Sequence, residues 1–331
     1  MAAPCGAAIV FSVVVSMRRR FAVVFNSKAG VAIPRLLDGV LRDLRAQGAD
    51  VFQLSARSAA EAAERVAEVG RQGLCDAVIA AGGDGTFRAV AMGAAECGLP
   101  VGLVPLGTGN VLAHEIGMPR RARDLAAVLL HGTDIEADGG LVNGTPFFLM
   151  TGVGFDARIV ARLNYRTKRV LGRGAYTYPV LKTLAEGPQV FDVELDGRRF
   201  EASWVILTFA SRYGGSFVLT RDTGVGHGSL IAVVVEARSR FAVAARAMSL
   251  ALGRLTAPDR RPAGVHVLPV KRALIGRTTA VPIEVDGDEA GVTPADVRAD
   301  GPRVRVIVPP RYVADLTNRA ANRVPWRSKA L

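Results

Sequence analysis

Short, wholly apolar segments alternate with helical segments from Phe21 onward, and this alternation limits the folds open to the chain. The segments FAVVF, VGLVPL and, after its first residue Asp76, DAVIAA have no charged side chain, which indicates strands buried on both faces. Strands of this kind, each followed by a helix, are typical of a parallel sheet covered on both sides. The pattern predicts a doubly wound α/β nucleotide-binding domain over residues 17–135, with ligands beyond the carboxyl ends of its strands.

The rhythm changes after about residue 135, where strands separated by turn residues predominate and only two segments have helical character. This pattern predicts a mostly antiparallel β domain with two inserted helices over residues 136–310. The polar tail at 311–331 is expected to form a helix that packs back on the first domain. The fold class predicted for the whole chain is therefore α/β plus β.

Net charge and cysteine content indicate the kind of partner and the cellular compartment of the protein. The formal net charge is +12, which suits an anionic partner such as a membrane surface, a nucleic acid or a polyphosphate. Three cysteines without paired spacing favour a reducing compartment, so we expect a cytoplasmic protein. The apolar run at residues 6–16 is too short to span a bilayer, and we interpret residues 1–16 as an unstructured extension or as sequence upstream of the true start.

Glycine clusters follow three of the predicted strands: FNSKAG at 25–30, GGDGT at 82–86 and PLGTGN at 105–110. A tight glycine turn exposes successive backbone N–H groups with no side chain in the way, and phosphate is the anion that such a surface suits. The Asp84 carboxylate is placed to hold hydrated Mg²⁺ on the phosphates, and Thr86 offers a hydroxyl. The other residues predicted to face the phosphates or the nucleotide are Asn26, Lys28, Gly82, Gly83, Gly85, Gly107, Thr108, Gly109 and Asn110. All three turns are expected to meet in one crevice.

Other nucleotide and metal motifs are missing. The sequence has no G-x-x-x-x-G-K-[ST] loop, and the first turn lacks G-x-G-x-x-G. The GVGFDA segment at 152–157 is interpreted as a strand that turns into a helix capped by Asp156. The histidines show no metal-ligand spacing.

Four motifs, FNSKAG, AAGGDGTF, PLGTGN and EVDGDEAG, resemble in order and spacing the signature set of the diacylglycerol kinase catalytic-domain family. This family includes bacterial soluble lipid kinases and sphingosine and ceramide kinases, and the resemblance spans about residues 19–310. It implies a nucleotide-binding α/β domain, a β-sandwich-like lipid-binding domain and an active site in the cleft between them. It also implies ATP and Mg²⁺ as cofactors and a lipid hydroxyl as acceptor, with diacylglycerol as the first candidate.

Carried over residue by residue, the resemblance assigns residues 82–86 to the ATP phosphates. It places Asn26, Gly30 and Thr108 in the nucleotide site, together with Ser55, where relatives often have threonine. The family usually shows Asp-Gly-Glu in the last motif, with the glutamate as general base. Asp288 occupies that place here, and Glu289 is the reserve candidate. As a turn between strands, the same segment also predicts a hairpin.

Two departures from the family pattern weaken the expectation of full activity. Relatives commonly continue GGDGT with x-Asn-Glu, whereas this chain has Phe87, Arg88 and Ala89. Two explanations stay open: Arg88 pairs with a phosphate instead, or the site accepts a different nucleotide geometry. Relatives also carry Asp-Gly-x-Leu in the second domain, where the aspartate binds a structural Mg²⁺. Here His227 replaces the aspartate, so we predict that this second metal site is absent or altered.

The predicted binding partner follows from the basic segment at 157–182. This segment is interpreted as an amphipathic helix that lies on anionic lipid, and a solvated helix face is the ordinary alternative. Its basic residues are Arg158, Arg162, Arg166, Lys168, Arg169 and Arg173. No nucleic-acid-binding module is present, and a homodimer is left open. The expected location is the inner face of the membrane. The rival functions are an NAD kinase and a catalytically weak lipid-binding or regulatory protein.

Overall fold

The computed structural model describes residues 18–25, 34–163 and 172–321. The amino-terminal elements alternate as the apolar pattern predicts. The strands are β1 Arg20–Phe25, β2 Asp50–Leu54, β3 Ala77–Gly82, β4 Pro100–Pro105 and β5 Thr133–Asp138. The helices are α1 Arg35–Ala46, α2 Ala59–Arg71, α3 Asp84–Cys97, α4 Val111–Glu115 and α5 Ala122–His131.

The second region consists mainly of short strands. They are β6 Gly140–Val142, β7 Thr145–Phe147, β8 Met150–Gly154, β9 Phe191–Leu195, β10 Arg198–Ala202, β11 Trp204–Thr208, β12 Arg212–Tyr213, β13 Phe217–Val218, β14 Ile231–Val235, β15 Val265–Pro269, β16 Arg272–Ile275, β17 Pro282–Val285, β18 Asp288–Val292 and β19 Ala295–Arg298. The helices are α6 Phe155–Ala161, α7 Thr177–Glu186, preceded by a 3₁₀ turn at Gly172–Tyr176, and α8 Arg240–Ala251. The described chain ends with strand β20 Arg303–Val308 and helix α9 Pro310–Ala321.

The first sheet has the strand order β2-β1-β3-β4-β20-β5, in which only β5 runs antiparallel to its neighbour. Strands β3 and β4 are buried at almost every position, so helices must cover both faces. In agreement, α1 packs with α5 and α2 packs with α3. The predicted α/β class of this domain is confirmed.

One strand of this sheet was assigned wrongly from the sequence. The alternating apolar residues of β20 were placed in the second domain, which was given the range 136–310. In the structure β20 pairs with β4 and with β5 in the first sheet. Alternation of apolar residues identifies a strand but does not say which sheet it joins, because both sheets offer an apolar face.

Two antiparallel sheets form the second domain. Their strand orders are β10-β9-β16-β19-β6-β7 and β15-β14-β11-β8-β17-β18. Alternation along β11 shows how they are arranged: Val205 and Leu207 enter the core between the sheets, whereas Trp204 and Ile206 face the opposite side. All four are buried because helices cover that outer face. The predicted β-sandwich-like domain is therefore confirmed.

Helix α9 carries the start of the carboxyl-terminal tail back across both domains. Tyr312 and Leu316 are buried, and the Tyr312 hydroxyl lies 3.0 Å from the Val225 carbonyl and 3.3 Å from Glu115 Oε1. Val225 belongs to the second domain and Glu115 ends α4 of the first. The tail thus helps to hold the two domains together.

A buried ion pair links the residue before β1 to β5, an edge strand of the first sheet. Arg18, just before β1, pairs with Asp134 of β5 and donates to the carbonyls of Leu129 and Gly132. Burial lowers the pKa of Arg18 and raises that of Asp134, so desolvation opposes both charges. The pair therefore depends on each partner being present.

We predict that Asp134→Asn lowers the free energy of unfolding by about 3 kcal/mol, because it leaves the buried guanidinium without an anion. Asp138→Asn on the same strand is the matched control, since Asp138 pairs with Arg303 at the surface. The control should cost less than about 1 kcal/mol. Urea denaturation measures both values, and equal losses would contradict the prediction.

Candidate active site

The two glycine turns of the described chain lie against each other. GGDGT follows β3 and PLGTGN follows β4, and these strands are parallel neighbours whose carboxyl ends share one edge. A Cβ atom on Gly107 would lie 2.6 Å from the Cα of Gly83, so no side chain fits between the two turns. Together they form one surface of bare backbone at the start of α3. Such a surface suits a phosphate group.

Asp84 has a structural role that the sequence did not indicate. Its two carboxylate oxygens accept hydrogen bonds from the amides of Val111, at 3.0 Å, and Leu112, at 3.1 Å. The carboxylate therefore caps α4 and ties the first glycine turn to the second. Among the described residues, no group of three or more acidic, histidine or cysteine side chains is arranged to hold a metal. The role of Asp84 toward Mg²⁺ stays a prediction.

The other predicted nucleotide residues are placed as follows. Thr86 packs over Gly82, where a Cβ would lie 2.2 Å from its Oγ1. Asn110 adopts a left-handed conformation and donates from Nδ2 to the Gly107 carbonyl at 2.6 Å, which holds the second turn closed. Thr108 is half-buried within the same turn, and Ser55 is exposed at the end of β2. The three residues predicted in the first turn lie outside the described residues: Asn26, Lys28 and Gly30.

The hairpin between β17 and β18 brings Asp288 to the glycine turns. Asp286 and Gly287 form the two-residue connection, and both have positive φ, as a type I′ turn requires. A Cβ on Gly85 would lie 2.7 Å from Asp288 Oδ2, so the predicted base and the first turn of α3 are in contact across the two domains. Glu289, the reserve candidate, is exposed and pairs in register with Glu284.

Arg88 bridges the same gap. Its Nη2 lies 3.0 Å from Asp288 Oδ2 and its Nη1 lies 3.0 Å from the Val285 carbonyl. In the structure the guanidinium pairs with the predicted base, and its pairing with a phosphate stays a prediction. The partner is a residue 200 positions away, so no local pattern could have revealed it.

Asp286 fixes the position of this hairpin. Its carboxylate accepts from the backbone amides of Phe148, Leu149 and Met150, at 2.9 to 3.0 Å. Burial raises its pKa to about 6 although these three donors favour the charged form. The turn that carries Asp288 is thus attached to the segment that joins β7 to β8.

A second group of buried acids was missed in the sequence. The sequence predicts that Asp156 caps α6, but the N-cap of this helix is Gly154. The side chain of Asp156 is instead buried against β8. A Cβ on Gly152 would lie 2.2 Å from Asp156 Oδ2, and the cross-strand partner of Gly152 is Glu284. Directly paired residues share one face of a sheet, so the two carboxyl groups are neighbours. The Tyr213 hydroxyl lies 3.5 Å from Asp156 Oδ2.

These acids have shifted pKa values. Burial raises the pKa of Asp156 to about 7, and burial together with the charge of Asp156 raises the pKa of Glu284 well above its ordinary range. The charges of Asp286 and Asp288 act on Glu284 in the same direction. Four acidic residues therefore form a series from the covered face of the β domain to the glycine turns: Asp156, Glu284, Asp286 and Asp288. A single acidic residue within each of the apolar segments VGFDARIV and PIEV was the available signal.

His227 is buried in a turn where its amide donates to the Gly224 carbonyl. The neighbouring Gly226 packs against Ile135 of β5 and Leu316 of α9. This segment therefore lies beside the first sheet. The altered second metal site stays a prediction.

Fold and site together define a two-domain kinase architecture, in which glycine turns of an α/β domain face a carboxylate from a β-sandwich. A model of the diacylglycerol kinase catalytic domain matches residues 20–142, and one of the YegS C-terminal NAD kinase beta sandwich-like domain matches 150–308. A diacylglycerol kinase from Bacillus subtilis is 25% identical over 88% of this chain and 97% of the relative. A probable lipid kinase, YegS-like, from Pseudomonas putida is 32% identical over 48% of this chain and 56% of the relative.

The fold agrees with a solved structure as well. The crystal structure of a diacylglycerol kinase from Bacillus anthracis superposes with a TM-score of 0.66, at 20% identity, over 89% of this chain and 99% of that one. The chain belongs to the diacylglycerol kinase catalytic-domain family, a family of lipid kinases. In the part of the chain that the structure describes, no helix is long and apolar enough to cross a membrane.

We predict a measurable coupling between Arg88 and Asp288. A double-mutant cycle with Arg88→Gln and Asp288→Asn should give a coupling free energy of about 1 kcal/mol, because the pair is partly shielded from water. Urea denaturation of the four proteins measures it. The matched control is the surface pair Arg272 and Asp296, for which about 0.5 kcal/mol or less is expected. A cycle that closes to zero for Arg88 would contradict the contact.

We also predict a pH dependence of stability through Asp156. Because its folded pKa, about 7, lies above its ordinary value of 3.8, the folded state holds the proton more tightly than the unfolded state. Its contribution to stability is complete below the ordinary value and is lost as the pH rises through about 7. Asp156→Asn should flatten the fall in unfolding free energy over this window, measured by urea denaturation at several pH values. The exposed Asp259→Asn should leave the fall unchanged.

Proposed function

We propose that this protein is an ATP- and Mg²⁺-dependent lipid kinase that transfers the γ-phosphate to a lipid hydroxyl, with a diacylglycerol-like lipid as the first candidate acceptor. We further propose that it works at the cytoplasmic face of an anionic membrane. The observation that carries the proposal is the contact between Asp288 of the β domain and Gly85 of the first glycine turn. This contact places a carboxylate next to the glycine turn that is predicted to bind the phosphates.

The residues present fit a bound nucleotide. The bare backbone at Gly83 and Gly107 leaves room for phosphate oxygens, and the amides at the start of α3 lie at the positive end of a 14-residue helix. Asp84 would help to hold the hydrated magnesium ion. When bound, ATP supplies the phosphoryl group, and Mg²⁺ offsets the negative charge on the phosphate oxygens.

Asp288 has the chemistry of a general base. Its side chain is partly exposed in the cleft, where it would accept the proton of the acceptor hydroxyl. Arg88 orients this carboxylate in the present structure, and it lies on the first turns of α3, beside the glycine turn, where a guanidinium would stabilise negative charge. An arginine between a base and a phosphate site contributes mainly by positioning and by charge stabilisation.

The buried acids offer a binding place for the polar end of the acceptor. Asp156, Glu284 and Tyr213 provide hydrogen-bonding groups beneath the helices that cover the outer face of the β domain. A glycerol hydroxyl can donate to a carboxylate and accept from a protonated carboxyl group. The raised pKa values of Asp156 and Glu284 make a shared proton available near neutral pH.

Two other functions are distinguishable by experiment. An NAD kinase would use the same glycine turns but a soluble acceptor, and the β-sandwich model that matches residues 150–308 carries the NAD kinase name in its description. A catalytically weak lipid-binding or regulatory protein would keep the fold without turnover. Arg88, Ala89 and His227 are the residues that favour this second alternative.

The test is transfer of labelled γ-phosphate from Mg-ATP to a panel of lipids in mixed micelles, with NAD as the soluble acceptor. Asp288→Asn should lower kcat by about 10²–10⁴-fold because it removes the proton acceptor, while ATP binding measured by calorimetry is retained. Glu289→Gln on the same strand is the matched control and should keep its rate.

Each outcome points to one function. Label in a single lipid class, lost in Asp288→Asn alone, supports the proposal and names the substrate. Label in NAD with no response to lipid shows an NAD kinase. ATP-independent lipid binding by a folded protein, with no transfer to any acceptor, shows the regulatory alternative.

A further inference from the structure

The sequence predicts that the basic segment at 157–182 faces lipid. In the part of it that the structure describes, Arg158 and Arg162 instead bind groups of the protein itself. Arg158 is buried and donates to the Gly187 carbonyl at 2.7 Å, and both Arg158 and Arg162 pair with Glu186 at 2.6 Å. These guanidinium groups therefore hold α6 against the end of α7. The residues at 164–171 lie outside the described residues.

Helix α8 instead presents an apolar surface to solvent. Phe241, Met248 and Leu252 are 76%, 60% and 57% exposed, and with the exposed Ala245 they recur at intervals of four, three and four residues. This spacing places them on one line along the helix, here called the α8 stripe. The opposite side of the helix is apolar too, since Val243 and Leu250 are buried in the core.

A helix with two apolar sides is unusual in water. The helix needs only the Val243 and Leu250 side to pack on the protein, so the α8 stripe is not explained by folding. A contiguous exposed apolar surface of this kind marks a contact with a membrane or with another protein.

The neighbouring helix extends the same surface. Helix α7 contacts α8, and its Tyr178 and Leu181 are 69% and 62% exposed one turn apart. Helix α7 in turn packs on α6, which carries the buried Asp156. The exposed apolar residues of α7 thus lie on a helix that contacts both α8 and the helix of the predicted acceptor site.

The charge around the α8 stripe selects the partner. Between Glu236 and Asp259 the chain has no acidic residue and four arginines, Arg238, Arg240, Arg246 and Arg254. Arg240 and Arg254 are exposed at the two ends of the helix. Apolar side chains flanked by cations match a bilayer with anionic headgroups, in which the apolar groups enter the acyl boundary and the arginines stay among the phosphates.

We propose that the α8 stripe, with Tyr178 and Leu181 of α7, is the surface by which this protein docks on an anionic lipid bilayer. The occupant is the membrane itself, and the docking would bring the helices next to the predicted acceptor site to the lipid surface. The reason for docking, access to a lipid acceptor, rests on the proposed function. The docking itself does not, because vesicle binding is measured without ATP and without turnover.

The experiment is cosedimentation of the full chain with phosphatidylcholine vesicles that contain or lack phosphatidylglycerol. The variant Phe241→Ser/Met248→Ser/Leu252→Ser should bind vesicles with phosphatidylglycerol at least about tenfold more weakly, since it removes the side chains that enter the bilayer. Arg240→Gln/Arg254→Gln should lose the preference for phosphatidylglycerol. The matched control is Leu74→Ser/Val190→Ser, two exposed apolar residues elsewhere, and it should bind like the unmodified protein. Thermal denaturation of each variant verifies that it is folded.

Activity gives a second readout that separates this inference from the proposed function. With vesicle-embedded lipid the triple variant should show a raised apparent KM, whereas with a short-chain lipid dissolved in water its kcat should equal that of the unmodified protein. Vesicle binding that depends on the α8 stripe, without kinase activity, would overturn the proposed function and leave the docking surface standing. A folded triple variant that binds vesicles like the unmodified protein would overturn the docking surface. A lipid-free dimer that the triple variant abolishes, with unchanged vesicle binding, would also overturn it and assign the stripe to a second copy of the chain.

Discussion

Strand β20 lies between β4 and β5, and this pairing fixes how the two domains are attached to each other. Because the last strand of the described chain completes the first sheet, the β domain is attached to the α/β domain by two connections, one after β5 and one before β20. Helix α9 then packs Tyr312 against groups from both domains. The glycine turns and the β17–β18 hairpin therefore face each other in a defined way, and the cleft between them is a property of the topology.

Charged side chains fix the two walls of this cleft and join them to each other. Asp84 joins the two glycine turns, Asp286 holds the hairpin by three amides, and Arg88 connects Asp288 to α3. Each of these charged side chains is satisfied by a partner far away in the sequence. An opening of the cleft would expose Arg88 and Asp288 to water together, so the position of the predicted base and the closure of the two domains depend on the same contact.

The sequence predicted the strands, the helices and the glycine turns well because these features are local. An apolar run followed by glycines indicates a buried strand and a turn whatever the rest of the chain does, and Asp286-Gly287 between two strands indicates a hairpin. The family motifs added the likeness to lipid kinases and the choice of Asp288. The sequence also showed a basic segment, but it did not show that Arg158 and Arg162 are paired with Glu186.

By itself, then, the sequence determined the two classes of domain and the positions of the turns, since backbone conformation follows from residues that are close along the chain. Only the tertiary structure decided the sheet to which β20 belongs, the pairing of Arg88 with Asp288 and the burial of Asp156 beside Glu284. It also decided which apolar residues of α8 remain in water. The physical reason is that burial and charge pairing depend on which distant segments pack together, and the order of residues within one segment does not contain that information.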